Sequence, residues 1–304
     1  YAYSLVDGVE LVAVCDSDKK LVDKCIAKWK TPRGYYDISS MLKSENVDIL
    51  SVCTPPDTHL AVLEEAVKHN SIRGIFCEKP LASTLKDAEK MREICDKNGI
   101  ILQVGHQRRF DPLHLEIKKA IDDGIMGELQ QANFYYTAGI SNTGSHMFDI
   151  LRFFFGDVEW IEAFPSVNMS GKDNDPNLDG ILRFKSGRFV TFQACDVAKY
   201  LVFELNAFFE RARIELKNSG FKVDFFEVRE SEYYSGYKEL FSRKSPFTED
   251  YQRNFMINAV KHLMRCLDAR EQPVSSVIDG FKAVELIENA IISARNDGKR
   301  IHLQ

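Results

Sequence analysis

The segment GIFCEKP at residues 74–80 decides the fold of this chain. Its first four residues are small or apolar without alternation, which is typical of a strand buried on both faces of a sheet. Glu78 and Lys79 follow at once, and Pro80 ends the strand. A charged pair in this place indicates either a ligand crevice, where Lys79 would hold a hydroxyl group, or a surface turn that stops at Pro80.

The same pattern recurs through the first third of the chain. We predict further strands at 9–16, 47–53 and 100–105, with helices at 19–30, 58–70 and 84–98. The last of these helices ends at Asn98-Gly99, where a left-handed residue is needed. Apolar strands that alternate with helices indicate a parallel sheet covered on both faces, which is a doubly wound α/β domain.

The pattern changes after about residue 120. Alternation predicts a strand over Leu129–Tyr136, and helical spacing predicts a helix over Thr143–Phe155. Further strands are expected around 158–169, 179–185, 188–196, 201–208, 211–217 and 221–228, and closing helices at 250–269 and 279–296. We therefore expect a doubly wound domain at 1–110 and an α+β domain at 111–304, with a large, mostly antiparallel open sheet.

Composition excludes several classes of protein. The 304 residues suggest two domains, and the net charge of −5 argues against a nucleic-acid partner. No apolar run reaches the roughly 18 residues of a membrane helix, so no membrane partner is expected. The seven cysteines form no C-x-x-C pair, which favours small buried residues and a cytoplasmic location.

Two strand ends carry candidate cofactor residues. Asp16 ends the first strand, where an acid accepts hydrogen bonds from ribose hydroxyls and disfavours the 2′-phosphate of NADP, without excluding it. Alternatively, Asp16 belongs to the turn in which Ser17 or Asp18 caps the next helix. The second strand end, TPPDTH at 54–59, lies where open α/β sheets bind ligands, although Asp57 or Thr58 could instead cap the next helix.

Two later segments carry candidate substrate residues. In GHQRRFDP at 105–112, the arginines could meet an anionic or polyhydroxyl ligand or pair with acids, and for Arg108 pairing is favoured. Asn142 and His146 lie four residues apart on one helix face, and Asp149 is three residues further. His146 suits a general base, or it is structural beside a capping Asn142. No three ligands at metal-binding spacing are visible, so no metal is expected.

In these residues the chain resembles the Gfo/Idh/MocA family of NAD(P)-dependent sugar oxidoreductases. The features that carry the resemblance follow one another along nearly the whole chain: Glu78-Lys79-Pro80, the stretch 104–112, His146-Met147-Phe148-Asp149, and the segment from Pro273-Val274 to Asp279-Gly280. The resemblance implies an N-terminal Rossmann domain, a C-terminal substrate and oligomerisation domain, and a dimer or tetramer of identical chains.

The resemblance also implies roles for single residues. Lys79 would contact substrate and nicotinamide, Glu78 would lie near the nicotinamide ribose, and His146 would take the hydroxyl proton. Asn142 stands where many members have an aspartate, and an amide orients a hydroxyl but accepts no proton at neutral pH. The expected cofactor-binding set is Asp16, Thr54, Pro55, His59, Glu78, Lys79 and Gln107. The expected substrate-binding set is Arg109, Asn142 and Asp149.

The sequence therefore predicts hydride transfer between NAD and a hydroxyl-bearing carbon of a sugar or nucleotide sugar. The alternatives are a non-catalytic NAD(P)-binding regulator of the same fold and an imine or biliverdin-type reductase. The family's glycine-rich turn would lie upstream of the first visible strand. We expect roughly 20–25 native residues before Tyr1, enough for a strand, that turn and half a helix.

Overall fold

The computed structural model describes residues 1–31, 33–248, 254–269 and 271–303. These residues divide into two compact units. The first unit comprises Tyr1–Gln107 together with Asn254–Phe281, and the second comprises the remaining described residues. The sequence predicted a single division after residue 110. In the structure the division falls after Gln107, and the later segment Asn254–Phe281 also belongs to the first unit.

The first unit alternates strands with helices. In chain order it begins with β1 (Ala13–Cys15), α1 (Lys19–Trp29), β2 (Arg33–Tyr35), α2 (Ile38–Ser44), β3 (Ile49–Val52), α3 (His59–Ala66), β4 (Gly74–Cys77), α4 (Leu85–Asn98) and β5 (Ile101–Val104). Every strand pairing among them is parallel, as predicted. Gly99 follows α4 with φ +63°, so the expected left-handed helix end is confirmed.

The parallel strands form two sheets, β1-β2 and β3-β4-β5. Within the part of the chain that the structure describes, no pairing joins β1 to β3. Near the start of the described chain lies a 3-10 turn, Tyr3–Leu5. The Tyr3 hydroxyl lies 2.5 Å from the Ser51 hydroxyl, which ties this turn to β3.

The second unit is built around one large sheet. Its elements in chain order are α5 (Pro112–Asp122), β6 (Leu129–Tyr136), α6 (Thr143–Phe155), β7 (Val158–Pro165), β8 (Leu178–Phe184), β9 (Phe189–Ala194), β10 (Phe203–Phe209), β11 (Ala212–Lys217), β12 (Lys222–Glu230) and β13 (Lys238–Arg243). The chain then continues through α7 (Phe255–Ala269), α8 (Val277–Arg295) and β14 (Ile301–His302). The predicted helix start at Asp250 lies outside the described residues.

The nine strands of this sheet run in the order β13-β12-β11-β10-β6-β9-β8-β7-β14. Among the described strands of this sheet only β6 and β9 pair in parallel, so the prediction of a mostly antiparallel sheet is confirmed. Helix α6 packs its apolar side on this sheet: Met147 is fully buried, and the Phe148 ring meets the Phe192 ring edge-on at 5.5 Å. This packing fixes the helix that carries His146.

Helix α7 belongs to the first unit because it packs against β4 and β5. The Gln103 amide donates to the Ala259 carbonyl oxygen at 2.9 Å, and both groups are buried. Gly74 lies against Leu267, whose side chain would be 3.1 Å from a Cβ added at the glycine. None of the helices in the described ranges has the length and apolar character needed to cross a membrane.

Candidate active site

Three parallel strands bring their carboxyl ends to the same edge of the sheet. Val52, Cys77 and Val104 are paired in register, so the segments that follow β3, β4 and β5 all leave at this edge. The Glu78 amide donates to the Val52 carbonyl at 2.9 Å, and the Gly105 amide donates to the Cys77 carbonyl at 2.7 Å. Open α/β sheets bind ligands at this edge.

Glu78 and Lys79 are both half-buried at the end of β4. A Cβ added at Gly105 would lie 3.0 Å from Glu78 Oε2, so the glycine leaves room for that carboxylate. The Lys79-Pro80 peptide bond is cis. Gln107 opens a 3-10 turn, Gln107–Phe110, just beyond β5, and is also half-buried. These residues therefore lie at the carboxyl edge of the parallel sheet, and not in a turn remote from it.

Asp16 is half-buried directly after β1. Its carboxylate accepts a hydrogen bond from the Asp18 amide at 2.8 Å, and Asp18 in turn caps α1 by accepting from the Lys20 amide. The capping function therefore falls to Asp18, while Asp16 holds the turn at the strand end. This position fits the expected contact with an adenosine ribose.

The segment after β3 has an exposed start and a buried end. Thr54 and Pro55 are exposed, whereas His59 is completely buried. Helix α3 begins without a side-chain cap, so the alternative role for Asp57 is not observed. Instead, the Thr58 amide donates to the Pro55 carbonyl at 2.9 Å and closes a 3-10 turn, and the Thr58 hydroxyl donates to the same carbonyl at 2.7 Å.

The second unit presents Asn142 and His146 at the start of α6, both half-buried. The turn before this helix contains Ala138 and Gly139 at φ +65° and +92°. The Asp175 carboxylate accepts hydrogen bonds from the Ser141 and Asn142 amides at 2.7 and 2.9 Å. It would be only 2.2 Å from a Cβ at Gly139, so glycine is required for this close approach.

A second support for this turn comes from Asn177. Its side-chain oxygen accepts a hydrogen bond from the Gly139 amide at 3.0 Å, and its amide nitrogen donates to the Cys195 carbonyl at 3.1 Å. Sequence reasoning missed both Asp175 and Asn177, because their segment had only the composition of a polar loop. Their acidic and amide side chains were the sole signal available.

Arg109 and Asp149, both expected to bind substrate, contact each other. Arg109 Nε lies 2.9 Å from Asp149 Oδ1, and the Arg109 guanidinium also lies 4.9 Å from the centre of the Phe153 ring. This pair joins the turn before α5 to α6. Their contact with a substrate remains a prediction.

Arg108 departs from the expected pairing with an acid. Its guanidinium stacks 3.5 Å from the centre of the Phe203 ring and donates to the Ser219 carbonyl at 2.8 Å. Burial lowers the pKa of Arg108 to about 9, while Asp111 and Asp149 oppose that shift from a distance. Phe203 also meets the His146 ring edge-on at 6.5 Å, a neighbour that sequence spacing did not reveal.

A parallel sheet with charged residues at its carboxyl edge is the arrangement in which doubly wound domains bind dinucleotides. Residues 2–106 match the model of the oxidoreductase family with an NAD-binding Rossmann fold, and residues 114–215 match the Gfo/Idh/MocA C-terminal domain. The chain belongs to the Gfo/Idh/MocA family of oxidoreductases, and NAD is its cofactor. The resemblance, the fold class and the cofactor predicted from the sequence are thereby confirmed.

Individual relatives are similar at moderate identity. A D-apiose dehydrogenase of Paraburkholderia graminis is 25% identical over 332 residues, which cover 100% of this chain and 86% of the relative. A myo-inositol 2-dehydrogenase of Thermotoga maritima is 28% identical over 202 residues, covering 60% of each chain. The WlbA dehydrogenase of Bordetella pertussis, solved with NADH and UDP-GlcNAcA, superposes with a TM-score of 0.78 at 22% identity, covering 98% of this chain and 92% of that one.

Proposed function

We propose that this protein is an NAD-dependent dehydrogenase that transfers hydride between the nicotinamide and a hydroxyl-bearing carbon of a sugar or nucleotide sugar. The observation that carries the proposal is the retention of Lys79 at the carboxyl end of β4 and of His146 on α6, four residues after Asn142. The D-apiose and inositol dehydrogenases among its relatives support a polyhydroxylated substrate.

The residues at the sheet edge fit NAD. Asp16 offers a carboxylate to ribose hydroxyls. The exposed Thr54 and Pro55 offer their backbone groups at the end of β3, and Glu78 and Lys79 follow the neighbouring strand β4. NAD supplies the hydride acceptor when it is bound. Lys79 donates a hydrogen bond to the reacting oxygen and stabilises negative charge that develops there.

The second unit supplies proton transfer and orientation. His146 accepts the hydroxyl proton as a general base, since an imidazole titrates near neutral pH. Asn142 orients a substrate hydroxyl with its amide, which both donates and accepts hydrogen bonds but takes up no proton. Arg109, from the turn before α5, and its ion-pair partner Asp149 on α6 complete the proposed substrate-binding set.

Replacing Lys79 with Ala tests the assignment in the full-length protein. We expect turnover to fall by at least about 100-fold, while the dissociation constant for NAD changes little, because Lys79 acts mainly on the developing charge. Lys90→Ala is the matched control, since Lys90 is 52% exposed and pairs with Glu64 on the helix surface. Undiminished turnover in K79A would refute the catalytic role.

A substrate screen separates the competing activities. Sugars, nucleotide sugars and cyclic imines are each mixed with NAD(H), and the absorbance of the reduced nicotinamide is followed. A dehydrogenase responds to polyols and an imine reductase to cyclic imines. A regulator binds NAD without turnover of either class, which would contradict the proposal.

We also propose a cytoplasmic homo-oligomer. All seven cysteines are free thiols, which suits a reducing compartment. On the sheet of the second unit, half-buried Arg213 lies between the rings of Phe208 and Phe226, 4.7 and 5.0 Å from their centres. Arginine and aromatic side chains are enriched in protein interfaces. Light scattering after size exclusion measures the number of chains, and a monomeric mass at micromolar concentration contradicts this part.

A further inference from the structure

We propose that His59 is a positioning residue for the cofactor: its buried ring links the turn after β3 to the turn after β4, and so holds Thr54 and Lys79 in a fixed relation. The His59 side chain is completely buried. Its effect on NAD affinity is measured without substrate, whereas its effect on turnover rests on the proposed function of Lys79.

The contacts of His59 reach both turns. Nε2 lies 2.8 Å from the Thr54 carbonyl oxygen, and Nδ1 lies 3.0 Å from the Leu81 carbonyl oxygen. Leu81 follows the Glu78-Lys79-Pro80 segment directly. The ring therefore contacts Thr54, the first residue of the segment after β3, and Leu81, the residue that follows the segment after β4.

The sheet itself does not extend to these turns. The final hydrogen bond of the β3-β4 ladder runs from the Glu78 amide to the Val52 carbonyl, before either turn begins. Beyond that point the chain diverges into α3 on one side and the Pro80 turn on the other. An imidazole with one N–H donates to one of the two carbonyl oxygens, while its other nitrogen accepts a hydrogen bond, for which the Cys77 thiol beside Nδ1 is a donor.

Burial makes this link effective. His59 is 0% exposed, so water does not compete at its ring nitrogens. The Cys77 thiol lies 3.3 Å from Nδ1, and burial raises the pKa of that thiol well above its ordinary value. The thiol therefore stays protonated and available to a ring nitrogen. Whichever nitrogen carries the ring proton, His59 bonds to one turn and contacts the other.

The test compares variants of the full-length protein by NAD affinity and by turnover. His59→Leu fills the site without a hydrogen-bonding group, and His59→Gln retains an amide that reaches one turn. We expect the NAD dissociation constant to rise about 10-fold in H59L and less in H59Q. With NAD saturating, we expect kcat to fall by about 10- to 100-fold in H59L, because displacement of a catalytic group by an ångström has effects of this size.

His114→Leu is the matched control. His114 is equally buried but lies in the second unit, where it bonds to Asp111, so its loss should destabilise the fold and leave NAD affinity unchanged. A folded H59L with wild-type NAD affinity and kcat overturns the proposal. If H59L does not fold, H59Q decides the question by the same two measurements. NAD affinity is measured without substrate, so a chain that oxidises no sugar refutes the proposed function and leaves the role of His59 open to measurement.

Discussion

Arg109 and Asp149 form a buried ion pair within the second unit. The Arg109 Nε atom lies 2.9 and 3.1 Å from the two carboxylate oxygens, and the side chains are only 6% and 2% exposed. The pair anchors α6 at Asp149, three residues after His146, so it bears on stability as well as on the proposed substrate contact.

Removal of one partner should therefore destabilise the fold strongly. Asp149→Ala leaves the Arg109 charge buried without its carboxylate, and we expect the free energy of unfolding to fall by about 3–5 kcal/mol. Glu159→Ala is the control, because its pair with Arg183 is 43% and 41% exposed and is worth about 0–1 kcal/mol. Urea denaturation measures both. Equal losses of unfolding free energy in the two variants would show that the buried pair contributes no more to stability than the exposed one.

The carboxylate of Asp16 should determine the choice of cofactor. Asp16→Asn retains an acceptor for the Asp18 amide but removes the charge that repels a 2′-phosphate. We expect the ratio of NADP to NAD affinity to rise about 10-fold, which corresponds to about 1.4 kcal/mol. Asp18→Asn, at the cap of α1, should leave the ratio unchanged, and an equal shift in both variants would contradict the assignment.

Asp175 should affect substrate binding through the start of α6. Without its carboxylate the Ser141 and Asn142 amides lose their acceptor, so Asn142 no longer has a fixed orientation. We expect Asp175→Ala to raise the KM of the sugar about 10-fold, a loss of about 1.4 kcal/mol, with a smaller change in kcat.

Asp196→Ala provides the comparison for Asp175. Its carboxylate also accepts a backbone hydrogen bond at 2.9 Å, but from the Ala198 amide, two residues away in its own loop. A similar KM in D175A and D196A would mean that the Asp175 contact does not position the substrate.

The stability of the fold should decline in mild acid because of His114. Burial lowers the pKa of His114 in the folded protein below its ordinary value of 6.5, and the hydrogen bond to Asp111 only partly opposes this. As the pH falls, His114 therefore binds a proton at a higher pH in the unfolded chain than in the folded protein. The contribution of His114 is thus fully present above pH 6.5 and is lost as the pH falls through the folded pKa.

The pH effect is measured as the free energy of unfolding at several values between pH 7.5 and pH 5. One titrating group adds a slope of at most about 1.4 kcal/mol per pH unit. His114→Gln removes that group, so its slope should be flatter than that of the wild type. Identical slopes would assign the acid sensitivity to other groups, such as half-buried His262, whose pKa burial also lowers.

Long, regular patterns were predictable from the sequence. The strand over Leu129–Tyr136 and the helix over Thr143–Phe155 have the predicted bounds, because each buries one continuous apolar face. The short strand β2 and helix α2 were missed. In β2, Gly34 packs so closely against Val22 that an added Cβ would lie 2.4 Å from the valine side chain. Since the position requires a glycine, β2 lacks the apolar residue that would have marked it as a strand in the sequence. Strand β13 is mostly exposed and polar, so it was missed too.

The site was predictable where it follows strand ends and unpredictable where it depends on distant partners. Asp16, Glu78 and Lys79 were placed by the rule that ligands bind at the carboxyl edge of a parallel sheet. Asp175 could not be assigned, since the Asn142 amide it holds is 33 residues away in the chain. Arg108 was expected beside an acid because local sequence does not show the aromatic face of Phe203.

The return of residues 254–281 to the first unit has a consequence for biosynthesis. A ribosome releases the β3-β4-β5 strands long before it makes α7, the helix that covers β4 and β5. During that interval the surface around Gly74 and Gln103 stays uncovered, while the whole sheet of the second unit is being synthesised. A nascent chain stopped before α7 should therefore remain protease-sensitive in its N-terminal part and require chaperone protection, although nearly all the residues of that part are already present.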